Sequence, residues 1–264
     1  MEKVSVLSIV FMALSAIMSI AVPLGLALHL RKRYRADWLP FIAGYLVMLV
    51  FAFILEARVH VLVLGTPTGL AIRSNVFLYA IYGGMMAALF EESGRALAFS
   101  TVLRKKDRPV NALMYGAGHG GMEFMMILGV GNINNLIYTW IVNTGQQATV
   151  LAEVGPEQAA AVSAALSAVV STPPGMFLLG LAERLMALLL QLALSCLVFL
   201  AVQRGRRRLI FIAMFFHALV DAVAGLLSGL QVSVILIEGC ILVMTGAIAL
   251  FVRKVMQNVP DSRE

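Results

Sequence analysis

Two adjacent glutamates and an arginine, Glu91, Glu92 and Arg95, interrupt the otherwise apolar stretch "AALFEESGRALAF" at residues 87–99. On a helix Arg95 falls four residues after Glu91 and three after Glu92, so it can neutralise one carboxylate and leave the other available. A carboxylate held in apolar surroundings is the kind of group that serves as a general base. The same three residues also suit a purely structural ion-pair knot between helices.

Two histidines extend the set. In "YGAGHGGMEFMM" His119 and Glu123 share a helix face at i,i+4, and Gly116, Gly118, Gly120 and Gly121 strip side chains from around the ring. Those glycines serve either close helix packing or a substrate backbone passing beside His119. In "FFHALVDAVAG" His217 and Asp221 repeat the i,i+4 spacing. An aspartate one turn from a histidine can orient the ring, raise its basicity or bind a metal beside it.

The elements that must carry these groups are set by composition. Of 264 residues 61% are hydrophobic and only 13% charged, with mean hydropathy +0.92, more apolar surface than one soluble core of this size buries. Runs of roughly 20 apolar residues read as membrane-spanning helices. About seven occur, near 5–29, 38–64, 74–103, 109–131, 174–203, 209–229 and 231–252. The expected fold class is therefore all-α: a polytopic membrane helical bundle forming one integral-membrane domain over 1–264, with its core near 74–230.

Seven spans put "RKRYR" (31–35), "RKKDR" (104–108), "RGRRR" (204–208) and "RK" (253–254) on one side, which the positive-inside tendency makes cytoplasmic. The N-terminus is then outside, the C-terminus cytoplasmic, and the chain a multi-pass protein of the cell membrane. Topology and attraction to anionic lipid account for the net charge of +6, so no nucleic-acid partner is implied. The first apolar run is too long, and its start too weakly charged, for a cleaved signal peptide. Cys196 and Cys240 lie in apolar runs and suggest no disulfide. Residues 132–174 form the one long interruption, with a short helix expected after Pro156. No repeat is detectable, and only "QNVPDSRE" reads as a tail.

Ionisable groups within spans are costly in lipid and usually face a bundle interior or a wet cavity. At 1.5 Å per residue, Glu91 lies about 20 Å from Arg104, His119 about 17 Å from Arg108 and His217 about 14 Å from Arg208. Glu123 and Asp221 come out at about 23 and 20 Å. Three helices thus carry polar groups at similar depth, and one convergent site is the economical reading. Glu56, Arg58 and His60 fall near the outer end of the second span, and Glu183 and Arg184 about 30 Å from the basic cluster, so both groups read as structural. Glu238 has no assigned role.

The order "EExxR", glycine-flanked histidine, "HxxxD" resembles the CAAX-protease and bacteriocin-processing (CPBP, or Abi) group of intramembrane proteases. "FEESGRALAF", "GAGHGGMEF", "AERLMALLLQLALS" and "HALVD" resemble in particular the YhfC family of intramembrane metalloproteases, over roughly residues 38–252. The resemblance implies a catalytic centre of Glu91, Glu92, His119 and His217, with Arg95 steadying the glutamates. Two departures stand out. The CPBP arginine follows the second glutamate by four positions and Arg95 follows Glu92 by three, which leaves open which glutamate is the base; helix geometry favours Glu91 as the partner of Arg95 and leaves Glu92 freer. Asp221 also replaces the usual asparagine, and an ionised carboxylate there would repel a developing oxyanion.

Two schemes follow. In one, a glutamate and His119 activate water while His217 and other donors hold the oxyanion. In the other, slightly favoured, His119, His217 and carboxylates drawn from Glu91, Glu92, Glu123 and Asp221 bind zinc with a position open for water, although no "HExxH" is present. The expected function is an intramembrane endopeptidase acting on a peptide or membrane-protein substrate. The alternatives are a transporter, or a non-catalytic peptide-binding protein, using the same buried polar layer.

Overall fold

The computed structural model describes residues 3–258, and these are helices joined by short loops, with no strand among the described residues. The end of the expected polar tail, from residue 259, lies outside them. The helices are α1 (Val6–Tyr34), α2 (Trp38–Leu64), α3 (Pro67–Ser74), α4 (Val76–Ser100), α5 (Pro109–Asn143), α6 (Gln147–Glu153), α7 (Pro156–Ser171), α8 (Pro174–Gln203), α9 (Arg208–Gly229) and α10 (Val234–Gln257).

Six of these, α1, α2, α5, α8, α9 and α10, are long and apolar enough to cross a membrane. The remaining expected span is α4, whose 25 residues would reach about 37 Å. Its length suffices, but Glu91, Glu92 and Arg95 interrupt its apolar run. Asn75 starts α4 by accepting from the backbone N–H groups of Phe77 and Leu78 at 3.0 and 3.1 Å, an N-cap that satisfies two otherwise orphaned donors. The expected span at 109–131 runs on through the polar passage "GNINN" to Asn143. Asn132 makes this continuation tolerable by donating its side-chain amide back to the Leu128 carbonyl at 2.9 Å.

The chain divides into two compact units. One comprises residues up to 22 together with 124–185. It is closed by Met12, Ile141, Val142, Leu166, Val169 and Phe177. Ser15 donates to the Phe177 carbonyl at 3.1 Å, and Asn143 accepts from the Val4 N–H at 2.8 Å. This unit holds the interruption expected at 132–174, and α7 begins at Pro156 as its fixed φ favours.

The other unit comprises 23–123 and the residues from 186 on. Its core gathers Phe99, Leu103, Tyr115, Leu194, Leu197 and Phe199. Here α4 runs against α9, where a Cβ at Gly84 would lie 2.8 Å from the Ala222 nitrogen, so the two backbones nearly touch. At one end the basic loops are tied together. Arg108 donates to the carbonyls of Arg35 and Tyr34 at 2.9 and 2.6 Å, and Lys106 pairs with Asp37 at 3.2 Å. Asn111 accepts from the Asp37 N–H at 3.0 Å, and Gln203 donates to the Arg104 carbonyl at 3.5 Å.

Candidate active site

The glycines of α5 fix where His119 stands. A Cβ on Gly118 would run into the Phe41 carbonyl of α2, and one on Gly116 would lie 2.9 Å from Leu192 Cα of α8. At Gly120 it would meet Leu188 at 2.8 Å, and at Gly121 Pro23 of α1 at 2.7 Å. From the α2 side, a Cβ on Gly44 would come within 2.9 Å of the His119 nitrogen. All four α5 glycines therefore pack against neighbouring helices, which fill the space beside them.

On this frame the polar groups of α4, α5 and α9 meet inside the protein. Glu92, Arg95 and His119 are fully buried, and Glu91 and His217 nearly so. His119 Nε2 lies 2.9 Å from Glu91 Oε2, and His217 Nδ1 lies 2.8 Å from Glu92 Oε1. The other His217 nitrogen, Nε2, faces Asp221 Oδ2 at 3.4 Å and Glu91 Oε2 at 3.9 Å. With Glu91 and Glu92 ionised, His119 donates from Nε2 and His217 from Nδ1, so each histidine has its own orienting glutamate. That leaves the buried Nδ1 of His119 without a hydrogen-bond partner among the described residues, while its ring stacks on Tyr115 at 5.6 Å between centroids.

Arg95 pairs with Glu92, its Nε 3.4 Å from Oε2, and not with Glu91 as the i,i+4 spacing suggested. The reason lies on α8. Arg95 donates from Nη1 to the Gln191 carbonyl at 3.1 Å and to Ser195 Oγ at 3.2 Å, and from Nη2 to Gln191 Oε1. These contacts commit the guanidinium to α8, beside Glu92. Glu91 is the carboxylate left without an ion pair to arginine, the reverse of the expectation from α4 alone.

Gln191 is the residue that sequence reasoning missed. Its Nε2 donates to Glu91 Oε2 at 2.9 Å and to Glu123 Oε2 at 3.1 Å, while its Oε1 receives Arg95. One amide thus links both carboxylates to the arginine. A signal was present, because Gln191 and Ser195 share a face in the apolar "LLLQLALS" and Gln191 lies about 20 Å from Arg204, the depth of Glu91. The structural pairing expected for the Glu56 group is present, between Glu56 and His60. Glu56 is buried at the end of π-helical turns (Leu49–Glu56), within electrostatic reach of Glu91 and His217. It accepts from or shares a proton with His60 Nε2 at 3.0 Å, and His60 Nδ1 lies 3.0 Å from the Tyr82 hydroxyl. Glu183 and Arg184, in the other unit, pair with each other.

A catalytic metal was expected on His119, His217 and Glu123. The residue types suit zinc, and among the described residues no group of three or more His, Cys, Asp and Glu side chains is already gathered around one metal position. His119 Nε2 and His217 Nδ1 are spent on glutamates, and Glu123 accepts from Gln191. The arrangement favours proton transfer between oriented carboxylate and imidazole groups.

Residues 18–242 match a family described as YhfC intramembrane metalloprotease. A protein of Bacillus subtilis (strain 168), named "Uncharacterized membrane protein YhfC", is 34% identical over 219 residues, covering 82% of this chain and 84% of that protein. No solved structure matches.

Proposed function

The chain belongs to the YhfC family of intramembrane metalloproteases, and from that membership and the buried Glu91–His119 and Glu92–His217 pairs we propose that it is an endopeptidase of the cell membrane. Its substrate is a peptide or a membrane-anchored protein. The observation that carries the reading is the division of labour between the glutamates: Arg95 is committed to Glu92, while Glu91 has no arginine and is held by His119 and Gln191, with His217 Nε2 at 3.9 Å.

In this reading Glu91 takes a proton from water as the water oxygen attacks the scissile carbonyl carbon, and His119 holds Glu91 in place. The proton passes to the leaving amine as the carbon–nitrogen bond breaks. His217, bonded to Glu92 at Nδ1, donates from Nε2 to the oxyanion once the partly exposed Asp221 turns away from that nitrogen. Gln191 and Arg95 position the two glutamates. The basic loops face the cytoplasm, the N-terminus is outside, and substrate enters from the cytoplasmic half of the bilayer.

The test uses purified full-length protein in lipid vesicles with a panel of fluorogenic single-span peptides, comparing wild type with Glu91→Gln and His119→Ala. Both variants should remain folded by circular dichroism and lose cleavage. Cleavage retained in both sinks the assignment. Metal analysis of the same samples, with His217→Ala added, decides the role of the metal in the family description. Zinc held by wild type and lost in both histidine variants assigns the histidines as ligands, and cleavage by folded, metal-free wild type assigns water activation to Glu91.

A further inference from the structure

A cavity lies at the basic end of the larger unit, apart from the Glu91 cluster. It opens between α1, α5, α8 and α10 with a volume of about 690 Å³, within the range of roughly 300–1,000 Å³ found for small-molecule sites. Its walls are apolar and include Leu113, Leu189, Leu192 and Val252, with the buried Cys196 among them. Its polar edge carries His29, Tyr34, Arg253 and Gln257, and among the described residues no acidic side chain lines it. Arg33 adds a second cation, its guanidinium 5.7 Å from the centre of the Tyr34 ring. Along α10 the lining runs from Ala249 to Gln257, about 12 Å of helix, close to the roughly 15 Å of one hydrocarbon leaflet.

An apolar slot about one leaflet deep, with cations and a tyrosine at its mouth, matches one molecule in shape and charge. We propose that this cavity binds a single anionic phospholipid, with an acyl chain against Leu113, Leu192 and Val252 and the phosphate at Arg253, His29 and Tyr34. The first turn of α5, at Pro109 and Val110, reaches the same edge and adds the positive end of a long helix. Basic pockets between membrane helices recognise acidic headgroups by this combination of slot and cation.

Native mass spectrometry and thermal melting of the detergent-purified full chain test it, with phosphatidylglycerol, phosphatidylcholine and inorganic phosphate as probes. Phosphatidylglycerol should stay bound and raise the melting temperature more than phosphatidylcholine, and inorganic phosphate should do neither. Arg253→Gln, at an exposed position, should cut that preference about fivefold, the effect of one basic side chain near an anionic surface. Ala249→Phe, which fills the slot, should abolish retention of both lipids; if it does not fold, Arg253→Gln carries the test. Equal retention of the two lipids, a preference untouched by Arg253→Gln, full stabilisation by phosphate alone, or a copurifying peptide in place of lipid overturns the proposal.

Discussion

Replacing Arg95 by methionine tests the wiring of the site most directly. The side chain is fully buried and holds Glu92, the Gln191 carbonyl, the Gln191 side chain and Ser195. Methionine keeps much of the volume and removes every guanidinium donor, leaving Glu92 buried without its arginine and with only His217 beside it. Breaking a buried pair in this way costs about 3–5 kcal/mol. Against a typical total of about 5–15 kcal/mol, that is a large fraction of stability. Restoring neutrality with Glu92→Gln in the Arg95→Met background should recover most of the loss, and Glu91→Gln should recover little. The 92–95 coupling should fall within about 0.5–3 kcal/mol and exceed the 91–95 coupling. Unfolding in mixed micelles by sodium dodecyl sulfate, followed by circular dichroism, measures all of these. Better rescue by Glu91→Gln, or a cost of Arg95→Met below about 1 kcal/mol, as for a surface pair, would refute the assignment of Arg95 to Glu92.

Gln191→Leu should lower stability by about 1–3 kcal/mol through the unsatisfied groups it leaves behind, and should reduce cleavage further because Glu91 loses its positioning amide; melting and single-turnover cleavage separate the two effects. Glu91→Gln should slow cleavage by about 10²–10⁴-fold while leaving the helical spectrum unchanged, since the amide fits the same space. Gly118→Ala should destabilise by about 1–3 kcal/mol or more, because its methyl meets the Phe41 carbonyl, and detergent melting should show it. Asp221→Asn should leave stability within about 0.5 kcal/mol at its partly exposed position but alter the pH profile of cleavage, a readout that a structural role would not move.

Much of this arrangement was legible in the sequence because lipid imposes simple rules. Long apolar runs became helices, and the shared depth of Glu91, His119 and His217 brought them into one cluster, since polar groups in that setting gain by meeting one another. The errors came where a neighbouring helix decided the outcome. Arg95 chose Glu92 because α8 offers a carbonyl, an amide oxygen and a hydroxyl on that side, which no spacing on α4 reveals. Gln191 was overlooked because an uncharged amide leaves little mark in an apolar run. The extension of α5 past residue 131 runs through Asn132, whose side-chain NH₂ bonds back to its own helix.

The backbone contacts at Gly44 and Gly118, and at Gly84 with Ala218 and Ala222, bear on traffic as well as on packing. Where two main chains touch, a seam has no side chains to swing aside and cannot part without separating whole helices. A transmembrane helix is about 10–12 Å across with its side chains. The α2–α5 and α4–α9 seams are therefore closed doors to a guest of that width, and the proposed substrate would have to reach Glu91 from the remaining sides of the cluster.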